Sequence, residues 1–238
     1  MFRDDIDASQ LKEQIKKFSP DRIHPLLKGI YRTAFPRSSD ESKPEYYYRD
    51  PISKEYIYDT ELVQNREALL NQLDENKVVA ELGVDSGDFS TEILSITQPS
   101  ELYLVDIWDT DRYNEKKMET VKSRFSEQIK SGQVNVIRQR SEKALQQFED
   151  EFFDWVYIDT THSYNQTKTE LNLAKEKVKN GGIICGHDYS MGTPYKGIRY
   201  GVIEAVHEFC NENGYQLRYL SLETGGSRSY ALQKIDLS

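Results

Sequence analysis

The sequence has little cysteine, little histidine and no long apolar run. Cys185 and Cys210 are its only cysteines, and they form no Cys-x-x-Cys pair. That excludes a disulfide-stapled scaffold and fits a reduced, cytoplasmic protein with both thiols in the core. No stretch approaches the roughly 18 to 20 apolar residues that cross a bilayer, and "MFRDDIDASQLKEQIKKF" lacks the apolar centre of a signal peptide. No membrane association is expected. Positive charge is also short: 31 Lys and Arg stand against 40 Asp and Glu, a formal net charge of −9. A broad phosphate-tracking surface is thereby disfavoured, and nucleic acid is not an expected partner.

What the sequence does have is a change of character near residue 60. Leu11, Ile15 and Phe18 follow Ser9 at helical spacing, and then Pro36, Pro44 and Pro51 accompany five tyrosines between 46 and 58. Residues 1–60 therefore read as an arm, a short helix followed by a Tyr/Pro-rich segment that either docks on the surface or forms a lid. Residues 61–238 read as one domain. Helices are expected at 61–73, 88–96, 113–130, 141–147, 163–179 and 198–212, with strands at 77–82, 101–106, 134–138, 153–158 and 182–186. In the helix at 163–179, Thr167, Leu171, Ala174 and Val178 share one face. "YQLRYLSLE" and "SRSYALQK", joined by "TGG", end the chain as a hairpin. The alternation predicts an α/β fold, a Rossmann-like doubly wound sheet of seven strands, mostly parallel with an antiparallel terminal hairpin strand.

In such a sheet the ligand crevice lies at the C-terminal strand ends, where strand order reverses. The first loop there is "VVAELGVDSGDFS", residues 78–90. Gly83 and Gly87 let backbone approach a ligand, but Asp85 and Asp88 stand where a dinucleotide fingerprint needs glycine. Pyrophosphate would be repelled by Glu81 and Asp85. A nucleoside carrying a sulfonium and an α-ammonium group would be welcomed, and S-adenosylmethionine fits that description. Asp106 ends the second strand 23 residues after Gly83, where a carboxylate can take both ribose hydroxyls.

Taken in order, "VVAELGVDSGDFS", "LYLVDIW", "FDWVYID" and "NGGIICGHDYS" resemble the class I S-adenosylmethionine-dependent methyltransferases, over about residues 61–236. The resemblance implies that Glu81, Gly83, Asp85, Ser86 and Gly87 surround the methionine end and that Asp106 holds the ribose. By the same resemblance Ser141 and Glu142 flank the adenine, although Ser141 reads equally well as a helix N-cap.

The reactive edge is "YIDTTHSYNQTKTEL" with "GHDY". Asp159 follows the fourth strand, next to the cofactor, and Asp188 follows the fifth, so the two carboxylates sit at neighbouring strand tips. Two acids in one crevice are costly unless a cation joins them, which points to Mg²⁺. The pattern is similar to metal-dependent O-methyltransferases of small molecules and sugars, and "IDTTHSY" with "GGIICGHDY" and "GVIEAVHEF" more closely resembles the bacterial methyltransferase family 24 group. The implied metal ligands are Asp159, His187 and Asp188. His187, where the metal enzymes carry an acid or amide, suits Mn²⁺ better than Mg²⁺. His162, a histidine three residues after Asp159, is the candidate base, with a helix cap as its alternative role. The catalytic candidates are thus His162, Asp159 and Asp188.

The expected activity is methyl transfer to an oxygen of a small molecule such as a sugar or glycosylated metabolite. The alternatives are N-methylation of a small molecule and a cofactor-binding module without transfer. An NAD-dependent dehydrogenase is disfavoured by the loop spacing. Nucleic-acid methylation is disfavoured because no Asn/Asp-Pro-Pro-Tyr run follows the fourth strand. Trp108, the tyrosine arm and "MGTPYKGIRYG", with Lys196 and Arg199, are expected around the acceptor. His24 and His207 should lie off the crevice, and a homo-oligomer formed through the arm is left open.

Overall fold

A computed structural model describes residues 51–193, 198–223 and 227–235, all in the compact unit that runs to the C-terminus. The helix expected near residues 9–18, the tyrosines at 46–48, His24, Lys196 and the "TGG" turn lie outside the described residues.

An eight-stranded sheet organises the unit. Its strands in chain order are β1 (Glu61–Val63), β2 (Val78–Leu82), β3 (Glu101–Asp106), β4 (Val134–Arg138), β5 (Phe153–Ile158), β6 (Val178–Gly186), β9 (Tyr215–Ser221) and β10 (Tyr230–Lys234). Two short strands, β7 (Gly192–Thr193) and β8 (Ile198–Arg199), pair separately. The sheet order is β1-β9-β10-β6-β5-β2-β3-β4. β10 is antiparallel to both its neighbours, and the other pairs are parallel. The doubly wound sheet with its reversed hairpin strand is as the sequence predicts, but the strand count is eight rather than seven.

The eighth strand comes from a segment expected to be helical. Glu61–Val63 pairs in parallel with Tyr219–Ser221, and only then does helix α1 (Arg66–Leu70) begin, capped by Asn65, which accepts the Ala68 N–H at 2.8 Å. The later helices are α2 (Asp88–Thr97), α3 (Glu115–Arg124), α4 (Ser126–Ser131), α5 (Ser141–Leu145), α6 (Tyr164–Lys177) and α7 (Val202–Asn213). α3 and α4 divide the helix expected at 113–130, because Phe125 leaves helical geometry and buries its ring in the core.

Strand alternation sends side chains to two cores. Ala80, Leu82, Val156 and Ile184 pack with Leu171 and Ala174 of α6 and with Ala205 and Val206 of α7. Val79, Leu104, Trp155 and Tyr157 pack on the opposite face with Leu69 and Leu70 of α1, Phe89 and Ile93 of α2 and Val121 of α3. Cys185 and Cys210 are both buried, as expected of core thiols. Before β1, Tyr56 of a short 3-10 turn (Lys54–Tyr56) also enters the core. The chain leading to it is tied to α7: the Ile52 N–H reaches His207 Nδ1 at 3.2 Å and the Ser53 N–H reaches Asn211 Oδ1 at 2.9 Å. His207, half-buried, also meets the Tyr189 hydroxyl at 2.6 Å and so links that segment to α7. No described helix is long and apolar enough to cross a membrane.

Candidate active site

Chain order reverses between β2 and β5, and the C-terminal ends of these two strands touch. The Asp159 N–H donates to Leu82 O at 2.8 Å. Gly83 has φ +93°, and a Cβ added there would lie 1.9 Å from Asp159 O. Only glycine fits that crossing. Gly87, φ +78°, then opens α2, whose first turn is the floor of the loop.

The loop acids are each engaged within the protein. Asp106, at the end of β3, accepts the Val84 and Asp85 N–H groups on Oδ2, both at 2.9 Å, and the Trp108 N–H on Oδ1 at 3.1 Å. Glu81 is 1 % exposed and accepts from Ser90 Oγ. Burial drives its pKa up to about 8, against the opposing pull of Ser90 and Arg66. Asp85 pairs with Lys117, and Asp88 pairs with Arg124 at 2.6 Å. Ser86 Oγ donates to the Asp85 carboxylate at 3.4 Å. Trp108, expected beside the acceptor, is fully buried instead. Its left-handed backbone, φ +39°, turns the ring inward, where Nε1 donates to Asp85 O at 2.9 Å.

Past β4, Ser141 and Glu142 open α5 and form a polar wall with α6. Ser141 Oγ donates to Glu170, and Gln166 Nε2 reaches Ser141, Glu142 and Glu170 at 3.0–3.2 Å. Thr160 Oγ1 donates to Glu170 Oε2 at 2.8 Å. Burial raises the Glu170 pKa, although these three donors oppose it. The Glu142 pKa also feels burial upward, but donors led by Arg140 outweigh it and hold the pKa down. Glu170 was not singled out in the sequence, yet it lies three residues after Thr167 on the buried helix face, and that spacing is a readable signal.

The reactive edge unites residues from β5 and β6. One ligand atom each from Asp159, His162 and Asp188 lie within 4.8 Å of one another. His162 Nδ1 is 2.9 Å from Asp188 Oδ2. Both residues have left-handed backbones, φ +58° and +57°, and these turns bring the imidazole back over the strand ends. Burial works against a charged His162, but the hydrogen bond and charge of Asp188 prevail and raise its pKa. Asp188 is correspondingly held down by His162, despite its burial. The Asp159 pKa is raised, first by burial and then by the charge of Asp188, with His187 opposing. Its carboxylate takes no hydrogen bond among the described residues.

The ligand set expected from the sequence included His187. His187 stands outside the three-residue group, because its Nδ1 meets the buried Ser229 Oγ at 3.0 Å. Ser229 in turn meets the Tyr157 hydroxyl at 2.8 Å. The three-residue group contains His162 instead. Two carboxylates and an imidazole suit a divalent cation such as Mn²⁺, and the same three groups suit proton transfer. The Gly83 crossing, which brings bare backbone to the crevice, fits a nucleoside cofactor lying across the strand ends.

The comparisons with known proteins bear on the domain and its fold. A family model described as Methyltransferase domain matches residues 80–189, from β2 to just beyond Asp188. No curated protein matches the sequence. An rRNA methylase from Streptococcus thermophilus is similar in structure, with a TM-score of 0.52 at 13% identity, covering 72% of this chain and 95% of that one. A SAM-dependent methyltransferase from Aquifex aeolicus gives 0.53 at 14% identity, covering 71% and 89%. The pyocyanin biosynthetic protein PhzM gives 0.54 at 12% identity, covering 71% of this chain and 54% of its own. At such identities the likeness is one of fold. Over residues 80–189 the chain carries a methyltransferase domain, in the fold of the class I S-adenosylmethionine-dependent methyltransferases.

Proposed function

We propose that this methyltransferase acts on an oxygen of a small molecule, a sugar or glycosylated metabolite, with His162 as the base that removes the hydroxyl proton. Bound S-adenosylmethionine would supply an electrophilic methyl group on sulfur. Gly83, Ser86 and Gly87 would bring backbone to its methionine end, with Glu81 and Asp85 beside them. Asp106 would reach the ribose while holding the loop, and Ser141 and Glu142 would face the adenine.

The observation that carries this reading is the His162–Asp188 contact at 2.9 Å beside the carboxylate of Asp159, which takes no hydrogen bond among the described residues. An aliphatic hydroxyl is a weak nucleophile at neutral pH and needs a base or a metal. Asp188 fixes Nδ1 of His162 as the donor and leaves Nε2 to accept the substrate proton. Asp159, at the switch point between β2 and β5, lies where the acceptor and the cofactor would meet. The 4.8 Å grouping favours a second reading of the same residues, in which Asp159, His162 and Asp188 hold Mg²⁺ or Mn²⁺ that lowers the hydroxyl pKa. An RNA acceptor, suggested by the rRNA-methylase names of two similar structures, is weighed against by the formal charge of −9.

The test is transfer of labelled methyl from S-adenosylmethionine to a panel of sugars, phenols and RNA, before and after chelation. Label should enter a sugar or phenol, and Asp159→Ala should lower that transfer about 100-fold while S-adenosylhomocysteine still binds. Loss on chelation would select the metal reading over the base. Label in RNA alone, or full turnover by Asp159→Ala, would sink the proposal.

A further inference from the structure

One cation beside the loop after β2 has no hydrogen-bond or ion-pair partner among the described residues. Arg66 is the first residue of α1, and its guanidinium carbon lies 3.4 Å from the centre of the Phe89 ring and 5.8 Å from that of Tyr157. Its Nε is buried and makes no hydrogen bond, and no carboxylate among the described residues lies within ion-pair distance of it. The buried Nε is costly to leave without an acceptor, and the two terminal nitrogens, which are not buried and likewise make no hydrogen bond among the described residues, are the ones a ligand can reach.

Phe89 is the second residue of α2, the helix opened by Gly87, so Arg66 stands over the first turn of the cofactor loop's own helix. Its positive charge adds to the positive end of that helix dipole, an arrangement that an anion would relieve. The charge also reaches into the crevice, since both Glu81 and Asp159 feel it. The methionine end of S-adenosylmethionine carries an α-ammonium and an α-carboxylate. The acids considered so far address only the cation, which leaves the carboxylate without a receptor.

We infer that Arg66 binds the α-carboxylate of the cofactor, its guanidinium aligned by stacking on Phe89. This rests on the S-adenosylmethionine reading of the site. Guanidinium and carboxylate match as planar, charge-assisted partners, and stacking on an aromatic face leaves the N–H edge free for them. The internal competitor is Glu92, one turn along α2, whose Oε2 is also buried without a partner. Glu92 and Arg66 are close enough to interact through space but form no ion pair.

The experiment is calorimetric titration of the full chain with S-adenosylhomocysteine and with its decarboxylated analogue, in the wild type, Arg66→Met and Glu92→Gln. The wild type should prefer the carboxylate-bearing ligand by about tenfold to 100-fold. Arg66→Met should lose that preference by weakening S-adenosylhomocysteine alone, and its unchanged binding of the analogue would show that the fold is intact. Glu92→Gln should keep the preference. Equal weakening of both ligands by Arg66→Met, no weakening at all, or loss of the preference in Glu92→Gln would overturn the assignment. Absence of S-adenosylhomocysteine binding by the wild type would instead overturn the cofactor reading on which it stands.

Discussion

At the end of β2 and β3 the carboxyl groups are matched by the protein itself, whereas at the end of β5 one is not. Asp106 takes three backbone N–H groups, Glu81 takes Ser90, Asp85 takes Lys117 and Asp88 takes Arg124. Asp159, only a strand away, has no hydrogen bond to its carboxylate among the described residues and sits against Asp188, another acid. A loop whose acids are satisfied is pre-formed for binding and needs no ligand to hold its shape. A strand end that leaves a half-buried acid open is stable only through what surrounds it, and that cost is characteristic of a reacting centre. The same contrast separates what the two halves should do on mutation.

The largest effect is expected where the comparison is sharpest, at the pair that serves the open acid's side. Asp188→Asn keeps the shape of the side chain but removes the charge that holds His162. Methyl transfer should fall about 100-fold, with S-adenosylhomocysteine affinity changed by less than about threefold. The pH profile should move as well. The base must be neutral, so the rate rises as pH climbs through the His162 pKa. In the wild type that pKa lies above 6.5. Without Asp188, burial is opposed only by the weaker charges of Asp159 and Glu170, and the rising limb shifts to lower pH. A rate that is unchanged in both size and pH dependence would remove His162 from the chemistry and erase the contrast between the halves.

A smaller effect tests the binding half from within. Glu81 has its pKa raised from 4.5 to about 8 by burial, so the folded protein holds a proton that the unfolded chain releases. Its contribution to stability is therefore fully present below pH 4.5 and is lost as pH rises through about 8. Between those limits the loss approaches about 1.4 kcal/mol per pH unit, the slope for one proton. Glu81→Gln keeps an acceptor for Ser90 and cannot ionise. Urea denaturation across this pH range should show the variant gaining on the wild type as pH rises, then levelling. A constant difference would mean that Glu81 is ionised in the fold and that the loop stores charge as the reactive edge does.

Much of this was legible in the sequence because it is local. Strand and helix periodicity placed β2 to β6, and the acid at each strand tip followed from position alone. What depended on distant pairing or on single dihedral angles was not legible. Glu61–Val63 is three residues long and becomes a strand only by meeting Tyr219–Ser221, so its apolar spacing gave no warning against a helix. That His162 rather than His187 joins the group of Asp159 and Asp188 depends on a left-handed turn that aims one ring at Asp188 while Ser229, from the far hairpin, holds the other. Trp108 turned inward for a similar reason, a positive φ in a residue that usually avoids it. Nothing local in the sequence marks Arg66 as a guanidinium that stacks on Phe89. Glu170 could have been found, because it shares the apolar face of Thr167, Leu171 and Ala174.

The smallest expected effect bears on why the loop carries acids at all. If the Asp85 carboxylate selects a cationic cofactor, Lys117→Met frees its charge beside the site and should tighten S-adenosylhomocysteine by more than about threefold, with the gain fading as salt rises. The structure argues for less. Both side chains are partly open to solvent, at 30% and 44% exposure, and an ion pair in that setting contributes about 1 kcal/mol or less. Asp85 serves the loop through its backbone, whose carbonyl anchors Trp108 and whose N–H binds Asp106, and neither bond involves Lys117. Affinity in Lys117→Met should stay within about threefold of the wild type at any salt. The loop then owes its preference for the cofactor to geometry and to groups deeper in the crevice, and the contrast between a satisfied loop and an open strand end holds at its weakest point.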